Sequence, residues 1–99
     1  MTDRITNKML EQKIDYLNKL TGNPLTPWTQ YRAQDGKLVT TANQGNYHLG
    51  GAYGKVELSQ MCTDGGGVHT IFPYCTKREL FDRLRAYING IEVGKELQA

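Results

Sequence analysis

The fold of this chain is decided by residues 45–58, which read GNYHLGGAYGKVEL. The stretch holds four of the eleven glycines, two of the six tyrosines and one of the two histidines. It leads into an alternating segment, residues 55–61, in which Val56 and Leu58 point to one side and polar residues to the other. Such alternation is typical of a strand with one buried face, so the middle of the chain is predicted to form a β-sheet.

Further strands are predicted on both sides of residues 55–61. Residues 47–49 can add a short strand before it, and residues 68–72 form the next strand after the glycine-rich loop 64–67. Alternation places three side chains on one side of this later strand: Val68, Thr70 and Phe72.

A tight turn is predicted at Asp35-Gly36, because this pair favours a two-residue hairpin loop. The flanking residues 31–34 and 37–41 can then pair as a hairpin. Together these segments predict one curved antiparallel sheet of three or four strands.

An amphipathic helix is predicted before the sheet, from about residue 3 to residue 21. Thr2 or Asp3 can cap its first turn, and Gly22 fits just past its end, where a left-handed residue is often needed. Its apolar residues recur at spacings of three and four: Ile5, Met9, Leu10, Ile14, Leu17 and Leu20.

A second helix is predicted after the sheet, and its start is well defined. Thr76-Lys77-Arg78-Glu79 matches the capping box, in which the first and last side chains satisfy each other's backbone N–H groups. Gly90 is the predicted end of this helix, and residues 92–99 are predicted to be a mobile tail. Its apolar face is formed by Leu80, Phe81, Leu84, Tyr87, Ile88 and Ile91.

The order helix, strands, helix predicts an α+β fold with both helices on one face of the sheet. A length of 99 residues fits one domain, spanning residues 1–99. Trp28 follows Pro27 in the connection after the first helix and is predicted to cover the core.

The overall charge is +2, from 12 basic and 10 acidic residues, which is too balanced to favour a nucleic-acid or anionic-membrane partner by itself. Double-stranded-RNA-binding domains share the element order, but Glu79 and Asp82 oppose phosphate binding at the second helix. No apolar run is long enough to span a membrane, and the first residues lack the apolar segment of a signal peptide. A cytoplasmic location is therefore expected, in which Cys62 and Cys75 stay thiols.

The residue patterns of known catalytic sites are incomplete in this chain. Gly51, Gly54 and Val56 match part of the kinase glycine-loop pattern, but the lysine-bearing strand and catalytic loop do not follow. Gly54-Lys55 also fails the phosphate-loop pattern, since valine follows where serine or threonine is required. Bends or bulges in the sheet are the favoured explanation of these glycines, and the alternative is a close backbone approach to a ligand or partner. Since no catalytic pattern is complete, a non-enzymatic protein is predicted.

The chain has two cysteines and two histidines that could bind a metal ion: Cys62, Cys75, His48 and His69. No two of them share the short spacing that preforms half of a zinc site. A Cys–His nucleophilic pair likewise lacks a third group to orient it. We therefore predict no metal, no cofactor and no catalytic residue, with Cys75 buried and Cys62 partly exposed.

The candidate binding residues are Tyr47, His48, Tyr53 and Lys55, to which Tyr74 can be added. Aromatic and cationic groups of this kind anchor protein interfaces and also stack on nucleotides. The alternative is that half of them belong to the core, since tyrosines on a small sheet are often buried.

The chain also resembles small open reading frames of bacteriophages and prophages over about residues 45–90. The shared residues are the run 45–49, Ala52-Tyr53-Gly54, Leu58, Gly66-Gly67-Val68 and Arg78-Glu79-Leu80. No function is attached to this group, so the resemblance implies a source in the bacterial cytosol and transfers no site. The group more often has glycine where this chain has Lys55.

The leading hypothesis is a phage accessory protein that binds a host protein without catalysis. The alternative is a nucleotide or other small-molecule binder, such as a sponge for a signalling nucleotide, and a nucleic-acid-binding role ranks below both. Because helices on one side leave the other sheet face bare, a homodimer is predicted, with a contact that uses Tyr47, His48, Tyr53 and Lys55.

Overall fold

The structure is a computed structural model that describes residues 4–63 and 65–98. The α+β class is confirmed, with a helix at each end and five strands between them. The elements are α1 (Asn7–Thr21), β1 (Trp28–Arg32), β2 (Leu38–Ala42), β3 (Tyr47–Ala52), β4 (Lys55–Met61), β5 (Val68–Cys75) and α2 (Lys77–Gln98).

The strands form two sheets, whereas the sequence predicts one. β1 and β2 pair only with each other, and β3, β4 and β5 form a separate antiparallel sheet in that order. A hairpin around Asp35-Gly36 is confirmed, with a φ of 84° at Gly36 and the Lys37 N–H donating to the Asp35 carboxylate. Its loop is longer than the predicted two residues, since the paired strands end at Arg32 and resume at Leu38. We call this two-stranded hairpin, residues 28–42, the arm.

Helix α1 begins four residues later than predicted. Its N-cap is Thr6, whose hydroxyl accepts from the Met9 N–H at 3.2 Å. Ile5, just before the cap, and Leu10 are both buried in the core, as in a hydrophobic staple. The predicted caps, Thr2 and Asp3, lie outside the described residues.

The end of α1 is confirmed at Gly22. Its φ of 73° is left-handed, which costs glycine least because it has no Cβ. The N–H of the next residue, Asn23, donates back to the carbonyl of Asn18 at 2.8 Å, which satisfies a carbonyl of the last turn.

The capping box at the start of α2 is confirmed. The Glu79 N–H donates to the Thr76 hydroxyl at 3.1 Å, and the Thr76 N–H donates to the Glu79 carboxylate at 3.2 Å. The Thr76 hydroxyl also donates to that carboxylate, and this bond is the main reason that the pKa of Glu79 is lowered.

Replacing Thr76 with alanine is expected to lower the free energy of unfolding by about 1 kcal/mol, because the cap is lost. Chemical denaturation measures the change. Thr76→Asp is the control, since a carboxylate can still accept the Glu79 N–H and should retain most of the stability. Equal losses in both variants would contradict the capping-box assignment.

The predicted end of α2 at Gly90 is wrong, because the helix continues through Gly90 and Gly94 to Gln98. A glycine inside a helix costs only about 1 kcal/mol relative to alanine, so neighbouring turns can carry the helix past it. Mobility of residues 92–99 stays a prediction. Within the described chain, neither helix combines the length and apolar character needed to cross a bilayer.

Both helices pack on the same face of the three-stranded sheet, which we call the inner face. Helix α1 lies on β3, α2 lies on β4 and β5, and the helices also contact each other. The core between them consists of Ile5, Leu10, Ile14, Leu17, Tyr47, Val56, Leu58, Cys75, Leu80, Leu84 and Ile88. The burial of Val56 and Leu58 agrees with the alternation predicted for β4, but Ser59, which that alternation places on the polar side, is buried as well.

An asparagine side chain from α1 forms hydrogen bonds with the backbone at the start of the edge strand β3. Asn18 is fully buried; its Nδ2 donates to the Tyr47 carbonyl at 3.0 Å, and its Oδ1 accepts from the Tyr47 N–H at 2.8 Å. The amide thus replaces a neighbouring strand at this residue. It both fixes α1 on the sheet and satisfies two buried backbone groups.

The prediction that Val68, Thr70 and Phe72 share one side of β5 is wrong. The pairing of β5 with β4 shifts register between Leu58 and Ser59, and again between Val56 and Leu58. Phe72 therefore packs on the core while Val68 and Thr70 are exposed. Such bulges break the two-residue period on which the prediction rests.

Candidate functional site

Tyr47 is a core residue, which removes it from the predicted binding set. Its side chain is 7% exposed, and its hydroxyl forms a 3.0 Å hydrogen bond with that of Tyr87. Burial and this hydrogen bond raise the pKa of Tyr47, so the phenol stays neutral. For Tyr47, the structure therefore agrees with the alternative that some of these tyrosines belong to the core.

His48 follows Tyr47 and points to the opposite, outer face of the sheet. It pairs with Ser59 on β4 and is half-buried. Its Nδ1 atom is buried and has no hydrogen-bond partner among the described residues. His48 thus lies on the outer face near the start of the edge strand β3, with Tyr47 on the opposite face and Tyr53 and Lys55 at the far end of the β3–β4 hairpin.

Tyr53 and Gly54 form the two-residue loop between β3 and β4, since Ala52 pairs with Lys55. Both loop residues have positive φ angles, 54° for Tyr53 and 75° for Gly54. This geometry fits a type I′ turn, which asparagine and glycine adopt at least cost. Tyr53 is nevertheless fully exposed, so it holds a strained backbone conformation without burying its ring.

Lys55 begins β4 and lines a groove of about 350 Å³ between the β3–β4 loop and the starts of the two helices. Lys77, the first residue of α2, lines the same groove. The remaining lining residues are Asn7, Gly51, Ala52, Gly54 and Val56. We call this cavity the basic groove.

Tyr74 and Glu57 are neighbours on the outer face. The charge of Glu57 is the main cause that raises the pKa of Tyr74, and Tyr53 contributes weakly. Gly50 is needed here because a Cβ at this position would come within 2.9 Å of the Glu57 side chain. Glycine in this strand therefore serves close packing.

The structure divides the predicted set among three places: the core, the outer face and the β3–β4 loop. Tyr47 and Tyr53 lie at opposite ends of the six-residue strand β3, about 20 Å apart at strand rise. They cannot contact one small ligand together, whereas Tyr53 and Lys55 can.

No family model matches the chain. Comparisons with curated proteins and with solved structures gave no match either. The site must therefore be interpreted from its own residues.

The arm is a surface that the sequence analysis missed. All five residues of β1 are exposed, and three large side chains are about half exposed: Trp28, Tyr31 and Leu38. The prediction that Trp28 covers the core is wrong, because its ring lies instead against Gly66, in the loop between β4 and β5. In the sequence, apolar and polar residues alternate only loosely over residues 31–41. This weak pattern indicates that neither face of the hairpin is buried.

The cysteines and histidines do not assemble into a site within residues 4–63 and 65–98. No group of three or more histidine, cysteine, aspartate or glutamate side chains there could hold a metal ion. Cys75 is buried and Cys62 is exposed, both as free thiols, as predicted. Burial raises the pKa of Cys75, which disfavours the reactive thiolate.

Proposed function

We propose that this chain is a non-catalytic accessory protein that binds another protein through its arm. The observation that carries the proposal is the exposure of Trp28, Tyr31 and Leu38 on a hairpin that forms its own sheet. Aromatic residues of this kind are the usual anchors of protein interfaces.

The physics of an isolated hairpin supports this proposal. A two-stranded hairpin is at best marginally stable in water and gains stability when one of its faces is covered. At the base of the arm its two strands are joined by further hydrogen bonds, since the Asn43 N–H donates to the Pro27 carbonyl and the Asn43 amide to the Thr26 carbonyl. Beside this base, Trp28 lies against Gly66 of the β4–β5 loop. The outer end of the arm, with Tyr31 and Leu38, is exposed. A partner that covers this end would bury apolar surface and stabilise the pairing of β1 with β2.

The proposed partner is a host protein in the cytoplasm of a bacterium that carries the phage or prophage. The support for this source is the resemblance of residues 45–90 to phage reading frames, which is independent of the arm. The near-neutral overall charge of +2 also suits a protein partner better than a nucleic acid.

The test compares two double variants: one replaces exposed apolar side chains in the arm, and the other replaces exposed apolar side chains in α2. We expect Tyr31→Ser with Leu38→Ser to weaken binding to a purified host partner, first found by affinity capture, by at least about tenfold. The control is Val93→Ser with Leu97→Ser, which removes two exposed apolar side chains from α2. Calorimetric titration gives the dissociation constants, and circular dichroism checks the fold.

The control pair should bind within about twofold of the unmodified protein, since α2 is outside the proposed contact. If both pairs bind the captured protein equally well, the arm is not the interface. If capture yields no protein whose binding survives purification, the protein-binding proposal itself fails.

Self-association remains part of the proposal, with a changed contact. Because Tyr47 is buried, the contact would use His48 and Tyr53 on the outer face, with Lys55 at its end. We expect sedimentation at micromolar concentration to give twice the 11.2 kDa chain mass. Tyr53→Ala should shift the equilibrium towards monomer, and a monomer at all concentrations would contradict the dimer.

A further inference from the structure

We propose that the basic groove binds a phosphorylated nucleoside, with its phosphate between Lys55 and Lys77 and its base against Tyr53. This site is separate from the arm, so the inference goes beyond the protein-binding function. It rests on the charge of the groove, its size and the unusual exposure of one tyrosine.

The charge of the groove has a single sign. Lys55 and Lys77 line it, and none of the described residues in its lining is acidic. The larger groove between α1 and α2, of about 610 Å³, differs because Asp82 and Glu92 balance its Lys13 and Arg85. The basic groove therefore favours an anion, while the helix groove has no such preference.

The acidic residue near Lys55 is Glu79, and its carboxylate already has other partners. Glu79 interacts electrostatically with Lys55, but its carboxylate accepts two hydrogen bonds from Thr76 and lies 3.8 Å from Arg83. The ammonium group of Lys55 is thus not neutralised by a close ion pair with Glu79. Two lysine ammonium groups suit a doubly charged phosphate monoester, which offers several acceptor oxygens.

The size and floor of the groove suit a small ligand. A volume of about 350 Å³ falls in the range of small-molecule sites. Gly54 faces open space, since nothing lies within 4 Å of the position that a Cβ would occupy. A ligand can therefore approach the backbone of the loop closely.

Tyr53 indicates what the rest of the ligand contains. It stands between two lining residues, Ala52 and Gly54; its own side chain is not part of the lining, and its ring is fully exposed. Because its positive φ of 54° is unfavourable for a bulky residue and its ring packs on nothing, the folded chain gains little from tyrosine here. An aromatic ring beside a cationic groove can stack on a nucleobase while the phosphate meets the lysines.

The experiment follows the backbone amide signals of Gly51 and Gly54 by NMR during titration with AMP, adenosine and inorganic phosphate at low salt. We expect AMP to bind at least about tenfold more tightly than adenosine, since the lysines recognise the phosphate. Lys55→Gln with Lys77→Gln should weaken AMP binding by at least about tenfold. Lys13→Gln is the control, because Lys13 lines the helix groove and not the basic groove.

A second variant tests the base. Asparagine accepts positive φ, so Tyr53→Asn retains the turn while removing the ring. Its affinity for AMP should fall to that of inorganic phosphate. If Tyr53→Asn binds AMP unchanged, the assignment of the base is overturned.

The phosphate assignment is overturned if adenosine binds as well as AMP, if the double lysine variant matches Lys13→Gln, or if AMP leaves both glycine signals unmoved. The arm variant Tyr31→Ser with Leu38→Ser should bind AMP like the unmodified protein. A failure of this inference is therefore distinguishable from a failure of the protein-binding proposal.

Discussion

Replacing Leu84 with alanine should lower the free energy of unfolding by about 2–5 kcal/mol. Leu84 is fully buried in the first half of α2 and belongs to the core between the helices and the inner face. Truncation removes apolar surface from the core and leaves a cavity that a tightly packed interior fills only in part. For a small domain this is a large fraction of the total stability.

Urea denaturation followed by circular dichroism measures the effect of Leu84→Ala. Leu97→Ala is the control, because it is the same substitution in the same helix at a side chain that is 83% exposed. The control should change stability by less than about 0.5 kcal/mol. A loss of that small size at Leu84 would mean that α2 does not pack on the sheet as described.

Replacing Asn18 with alanine should cost about 2–4 kcal/mol, since each of two buried backbone groups loses its partner. The N–H and carbonyl of Tyr47 are bound by the Asn18 amide, which is fully buried. Water cannot readily replace that amide at the junction of α1 and β3. The higher helix propensity of alanine offsets only about 0.5 kcal/mol of this loss.

The control for Asn18 is Asn89→Ala, an exposed asparagine in α2. It should be neutral or slightly stabilising, because alanine is the better helix former. Amide hydrogen exchange at Tyr47 gives a second measurement, since its N–H should lose protection in Asn18→Ala. Equal stabilities of the two variants would contradict the closing role of the Asn18 amide.

Local patterns predict most of the helices and the central hairpin. Thr76 and Glu79 act through a fixed three-residue spacing, so the start of α2 follows from the sequence. Alternation likewise gives β4 with the bounds observed, because its core-facing residues lie on one side. The predicted end of α2 at Gly90 is wrong because a glycine permits a helix to end but does not require it.

The missed features depend on contacts between distant residues. Alternation cannot reveal that residues 28–42 form their own sheet, since either arrangement uses the same hairpin. Asn18 looks like one more polar residue of α1 until β3 is placed beside it. In the candidate site, Tyr47 and Tyr53 are grouped because they occur in the same short aromatic stretch of sequence. In the structure the six-residue strand β3 separates them.

The separation of the arm from the main sheet also affects how the chain can vary. Of the ten residues in β1 and β2, Ala42 alone is buried. Substitutions elsewhere in the arm can therefore alter shape and charge with little cost to the core, as is usual for exposed positions. The arm can thus accumulate changes while the helices and β3–β5 preserve the fold.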